Sequence, residues 1–213
     1  MTSHSANQPR AQIDRSIAEA VVELGQLALL FGRTNRATYY EDGVTLESDT
    51  DHTTMLAMIA CAFAARFIPR LDIGKVAQFS LVHDLVEAYA GDTPTLRISE
   101  DQRKAKDARE AEALKKIDSQ FAKSLPWIPS TIEEYESLET PEARYVKAID
   151  KVMPKITHAL NNSHLIKETG INLDELKENH IHQRESMLSS YAHDQPEVIE
   201  LHKLLAELVY ERF

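Results

Sequence analysis

The stretch 74–90, GKVAQFSLVHDLVEAYA, constrains this chain more than any other. Take about 100° per residue and set Val76 at zero. Leu81, Val82, Leu85, Val86, Ala88 and Tyr89 then fill an arc from about 120° to 280°, and Phe79 and Ala90 extend it to about 320°. A helix that is apolar most of the way round belongs inside a larger helical assembly. Its remaining arc, about 100° wide, carries Ser80, His83, Asp84 and Glu87. A carboxylate taken out of water costs several kcal/mol unless it is paired or coordinates a metal. A buried stripe with two carboxylates and an imidazole therefore requires a counter-charge.

The rest of the chain supplies the helices such a segment needs. Only 6 of 213 residues are glycine, and 43% are apolar. That glycine content is under half the usual level of roughly 7% and favours helices over turn-rich β structure. Ile13, Ile17, Ala20, Val21, Leu24, Leu27 and Ala28 recur at helical spacing and predict a helix over 12–31. Further helices are expected from Asp51 or His52 to Phe67, over 99–125, from Pro141 to about Met153 with a kink at Pro154, and over 173–191 and 196–213. Gly91 is placed to cap the helix before it. Residues 1–10 read as a disordered start, 32–51 as a long loop, and LPWIP at 125–129 as a break. No repeat or linker divides 11–213, so the expected fold class is all-α, a single helical bundle of about six to eight helices.

The net charge of −10 argues against a basic nucleic-acid surface and a polybasic membrane anchor. One cysteine, Cys61, allows neither an internal disulfide nor a cysteine-rich zinc cluster. The longest apolar run, 55–65, has 11 residues, too few to span a bilayer. The segment MTSHSANQPR lacks an apolar signal core. A cytoplasmic protein with no membrane association and no stable nucleic-acid complex is expected.

The anomaly of the His83 stripe occurs twice more. His52 lies in line with Leu56, Ile59 and Phe63, and Asp150 lies between Val146, Ile149 and Met153 on an apolar face. Singly, His52 reads as a hydrogen-bonded core histidine or a cap. Asp150 reads as a partner of Lys147 or Lys151, although a residue at i+1 points elsewhere on a helix. Together with His83 and Asp84 these readings need several coincidences, whereas one metal site accounts for all four. Two imidazoles and two carboxylates suit Mn, Fe, Co, Zn or Mg with positions left open, the arrangement for metal-assisted hydrolysis. His180 and His182, two apart on a helix, cannot share a ligand face and read as surface histidines.

The pattern His52, His83-Asp84, Asp150, each on an expected helix, resembles the HD-domain metal-dependent phosphohydrolase superfamily. The segments FSLVHDLVEAYAGDTPT (79–95) and SDTDH (48–52) resemble its 5′-deoxynucleotidase branch more closely. A second His-Asp pair, His193-Asp194, has no matching partners. The resemblance implies one divalent metal ion on His52, His83, Asp84 and Asp150, with Glu87 and Asp92 as the catalytic acids. It implies a phosphate-binding arginine, for which Arg36, sixteen before His52, is the first candidate and Arg33 the second. The branch often carries tryptophan after that arginine; here Ala37-Thr38-Tyr39 follows. The family also implies a homodimer, for which the N-terminal helix and 173–213 have spare apolar faces.

The resulting expectation is hydrolysis of deoxynucleoside 5′-monophosphates. A deoxynucleoside triphosphate hydrolase would use the same ligands and need more cations, for which Arg97, Arg103, Lys104 and Lys106 are candidates. A guanosine tetraphosphate hydrolase is a further HD reading. A helical module that keeps a metal without turnover is the alternative of a different class, and it needs neither Glu87 nor Asp92.

Overall fold

A computed structural model describes residues 13–94 and 98–213. The start expected to be disordered, 1–10, and Arg97 lie outside the described residues. Helix α1 (Arg15–Phe31) is capped by the Asp14 carboxylate, which accepts from the Ser16 and Ile17 amides. The expected loop 32–51 instead holds a hairpin, β1 (Asn35–Tyr39) and β2 (Leu46–Ser48), paired antiparallel. Asp42 turns it by accepting from the amides of Val44 and Thr45, next to Gly43 at φ +71°.

Ser48 ends the hairpin and caps α2 (Asp49–Phe67). The buried line of α2 runs His52, Leu56, Ala60, Ala64, with Ile59 and Phe63 half-buried beside it. Then follow α3 (Ile73–Val82), α4 (Glu87–Ala90), α5 (Glu100–Phe121) and α6 (Trp127–Ser137). The last four are α7 (Pro141–Leu160), α8 (His164–Glu168), α9 (Leu173–Ser190) and α10 (Pro196–Arg212). Among the described residues, eight helices have ten residues or more, and α4 and α8 are short, so the fold is all-α apart from the hairpin. Helix α6 begins at the expected break, since Pro129 sits in its first turn, where amides have no helical partner. Gly91 closes α4 at φ +73°.

Helix α7 is the central element. Tyr145, Val146, Ile149 and Val152 are fully buried, in one apolar cluster with Leu56, Val76, Phe79 and Val198. It runs on through Pro154 to Leu160; the proline has no N–H for the Asp150 carbonyl one turn back. A second cluster, around Leu27, Phe31, Val82, Val86, Ile117, Phe121 and Ile132, joins α1, α3, α5 and α6. Between these clusters α2, α3 and α7 meet.

Behind α7, helices α9 and α10 dock partly through bases. The Lys155 ammonium donates to Gln183 Oε1 at 2.5 Å, and His202 Nε2 lies 3.1 Å from the same oxygen. His180 is buried against Tyr210, 3.0 Å from Nδ1 to the hydroxyl, and is not the surface residue its spacing with His182 implies. Burial, with Lys151 and Arg184 adding, lowers the Lys155 pKa to about 7. The unfolded chain holds the Lys155 proton more tightly, so the contribution of this group to stability rises with pH from about 7 towards the unfolded value of about 10.4. Between pH 7 and 9.5 the wild type should therefore gain stability relative to Lys155→Met by a few kcal/mol, read as the difference in urea midpoints. A difference that does not change with pH would remove Lys155 as its source.

Candidate metal centre

The α-helical hydrogen bonding changes where the sequence reaches His83. Helix α3 ends at Val82, and residues 83–86 turn through i to i+3 bonds before α4. The Leu85 amide donates to Val82 at 3.0 Å and the Glu87 amide to Asp84 at 2.8 Å. The single helix expected over 74–90 is thus two, and its apolar arc is broken at Leu81, which is 55% exposed. In a three-residue repeat, side chains at i and i+3 eclipse. Asp84 and Glu87 therefore stand in line, and both face Arg36 of β1, at 2.7 and 3.9 Å from its Nη1.

Each histidine is held by the nitrogen it turns away from this cluster. His83 Nδ1 lies 2.8 Å from the Ser80 carbonyl and donates to it. Its Nε2 is buried and has no hydrogen bond, though Asp84 Oδ2 is 3.0 Å away and Asp150 Oδ1 3.9 Å. His52, in the first turn of α2, has Nδ1 3.2 Å from Glu47 Oε1 and Nε2 3.1 Å from Asp150 Oδ1. One ligand atom from each of His52, His83, Asp84 and Asp150 lies within 4.8 Å of the others.

The electrostatics of the group are those of crowded acids. Burial would raise the Asp150 pKa, but Lys151 and His52 hold it well below the carboxylate range. Lys151 Nζ is 2.6 Å from Asp150 Oδ2, which corrects the expectation that an i+1 lysine points away; the long stem brings the ammonium back. Lys147 lies instead over the Tyr135 ring, 5.5 Å from its centroid. Burial lowers and the Asp150 and Glu47 hydrogen bonds raise the His52 pKa, to about 9 on balance. Burial, then the charges of Asp84 and Asp92, push Glu87 up to about 9. Burial also raises Asp49 to about 6 against the pull of Arg36, which is 3.2 Å away.

These residues fit a divalent cation. Among the described residues, the carboxylates of Glu47, Asp49, Asp84, Glu87, Asp92 and Asp150 meet only half as many lysine and arginine cations, Arg36, Lys106 and Lys151. A buried imidazole nitrogen with a free lone pair, facing two carboxylates, is a metal donor by chemistry, and its other nitrogen is already fixed.

The remaining expected residues divide. Glu87 is buried, with Oε1 3.2 Å from Lys106 Nζ and Oε2 without a hydrogen bond. Asp92 Oδ2 accepts from the Ala37 amide at 3.1 Å, so it also pins β1. Arg36 is in the cluster; Arg33 is exposed and precedes the strand. Asp194 of the second His-Asp pair binds Arg144 at 2.7 Å. Sequence reasoning missed Glu47 and Asp49. Acids around a helix start read as caps, and only the approach of Arg36 and His52 distinguishes these two.

A family model described as HD domain matches residues 32–190. The chain belongs to the HD-domain family. It is 32% identical over 107 residues to the human protein named 5′-deoxynucleotidase HDDC2, covering 49% of this chain and 50% of that protein. It is 34% identical over 89 residues to 5′-deoxynucleotidase hdd1 of Schizosaccharomyces pombe, covering 39% of this chain and 43% of that one. The HD-domain chain thus spans about half the length, or less, of these relatives. Its fold is similar to a crystal structure titled predicted metal-dependent phosphohydrolase from Magnetospirillum magnetotacticum, with TM-score 0.72 and 22% identity over 92% of this chain and 97% of that one. No helix of the described residues is long and apolar enough to cross a membrane.

Proposed function

We propose that this HD-domain chain is a divalent-metal-dependent phosphohydrolase that converts deoxynucleoside 5′-monophosphates to deoxynucleoside and orthophosphate. The observation that carries this reading is the convergence of His52, His83, Asp84 and Asp150 beside an arginine and a buried glutamate. His52, His83, Asp84 and Asp150 would hold one ion, with Mn, Co, Fe, Zn and Mg all suited to such donors. When bound, it supplies Lewis-acid charge at the phosphoryl group and makes water a better nucleophile near neutral pH.

The chain's own residues do the rest. The contacts of Arg36 to Asp49, Asp84 and Glu87 all run through Nη1, which leaves its Nη2–Nε edge for a two-pronged grip on phosphate oxygens. Lys106 fixes Glu87 by Oε1, so Oε2 is the oxygen that orients the attacking water and exchanges a proton with it. Water oxygen joins phosphorus, the bond to the 5′ oxygen breaks, and that oxygen must gain a proton. Asp92, tethered by one oxygen, stands by to hold or protonate it. Arg36→Ala should raise KM about 10- to 100-fold with a smaller loss of kcat, and Arg36→Lys should restore only part. An unchanged KM in Arg36→Ala would take it out of substrate binding.

Cation placement favours a monophosphate over a triphosphate. Arg103 and Lys104 are exposed, with Lys104 paired to Glu100 at 2.9 Å, and Lys106 is taken up by Glu87 and Glu110. The buried Glu87 speaks against a metal-retaining module without turnover, which has no use for it. Val21, Val22 and Leu29 are exposed on α1 and support pairing of two copies, and a cytoplasmic setting agrees with the lone Cys61.

The test is product analysis over ribo- and deoxynucleoside mono- and triphosphates with each candidate metal and a chelator control. Nucleoside and orthophosphate from deoxy monophosphates support the reading. Hydrolysis confined to triphosphates moves the function to the triphosphate enzyme, and silence with metal bound removes the nucleotide assignment.

A further inference from the structure

The hairpin is held to the helices by polar contacts. Of all residues in β1 and β2, only Glu47 is buried, at 1% exposure, and it is a carboxylate. Its Oε1 lies 3.2 Å from His52 Nδ1, and its Oε2 is enclosed without a hydrogen bond. A carboxylate so placed is costly to bury, and among the described residues its one ion-pair partner is the imidazole.

The two histidines of the cluster are oriented by different means. His83 Nδ1 donates to the Ser80 carbonyl in the last turn of α3, three residues back, so local backbone geometry fixes its ring. His52 has no such carbonyl partner, and its Nδ1 meets a side chain on a separate element. The same hairpin carries Arg36, which reaches Asp84 at 2.7 Å, and the Ala37 amide and Tyr39 carbonyl tie β1 to Asp92 and Asn161.

We propose that Glu47 is a positioning residue for His52: by accepting the Nδ1 proton it directs Nε2 at the group formed by His83, Asp84 and Asp150, and links metal affinity to docking of the hairpin. The inference rests on the metal-site reading above and does not depend on which substrate is hydrolysed. Glu47→Leu removes both acceptor and charge, while Glu47→Gln keeps an acceptor of the same shape and removes the charge alone.

The probe is Zn²⁺, titrated into wild type and both variants against a chromophoric chelator. Ring-proton NMR of the Zn²⁺-loaded proteins is recorded alongside. Glu47→Leu should weaken Zn²⁺ binding about 10- to 100-fold, and Glu47→Gln by a smaller factor. The slowly exchanging Nδ1–H resonance of His52 should persist in Glu47→Gln and be lost in Glu47→Leu. Equal affinity in all three proteins overturns the proposal, and so does weakened binding with the His52 ring proton intact in Glu47→Leu. If Glu47→Leu does not fold, Glu47→Gln decides: weaker Zn²⁺ binding with unchanged thermal stability supports the role, and unchanged binding ends it. A wild type inert to every nucleotide would end the nucleotidase reading, and the affinity ratios would still decide Glu47.

Discussion

Asp150→Ala is expected to lose metal binding and turnover together. Asp150 is 5% exposed at the middle of α7, with Oδ1 facing His52 and His83 and Oδ2 holding Lys151. Among the described residues it alone has a carboxylate within 4 Å of both imidazoles, so its removal would dismantle the proposed donor set. It also leaves Lys151 as a cation without its nearest carboxylate. Several kcal/mol of transition-state stabilisation go with the metal, so kcat/KM should fall by roughly 10³-fold or more. Asp150→Asn separates the causes: it keeps the shape and an acceptor but loses the charge, and should keep the fold while binding metal poorly. Metal content by atomic emission and orthophosphate release check both, and a variant with wild-type metal content and activity would remove Asp150 from the site.

Glu87→Gln is expected to do the opposite with the metal. Its oxygens lie towards Lys106 and Arg36 and not within the four-residue donor group, so metal content should stay near that of wild type. The amide can neither give nor take a proton, and kcat should fall about 10²- to 10⁴-fold with KM changed only a few-fold. In wild type, burial and then the neighbouring Asp84 and Asp92 charges favour a proton on Glu87 up to about pH 9. Full activity in Glu87→Gln would exclude it from the reaction.

Helices α1, α2, α5, α7, α9 and α10 were legible because each repeats apolar residues over several turns, and His52, His83, Asp84 and Asp150 were legible as polar breaks in apolar faces. Their convergence needed no knowledge of the loops, since α2, α3 and α7 pack on one another. The hairpin was illegible for a physical reason: strands of five and three residues that bury only Glu47 carry no hydrophobic alternation. Helix α6 was hidden by two prolines, at 126 and 129, which a helix start tolerates and a helix interior does not. The salt bridge from Lys151 to Asp150 escaped because direction along a helix was weighed and the reach of a lysine stem was not. The buried bases His180, His202 and Lys155 escaped because nothing local distinguishes them from surface groups; they are covered by helices distant in sequence. The choice between Arg33 and Arg36 likewise depended on where β1 begins.

The central claim is that one divalent ion, held by His52, His83, Asp84 and Asp150, makes this chain a phosphohydrolase. The most direct test is titration of metal into chelator-treated protein, read by orthophosphate release from a deoxynucleoside 5′-monophosphate. Activity should be absent at the start, rise in proportion to added metal and level off at one ion per chain. Activity that survives chelation, or that needs two ions per chain, would contradict the account.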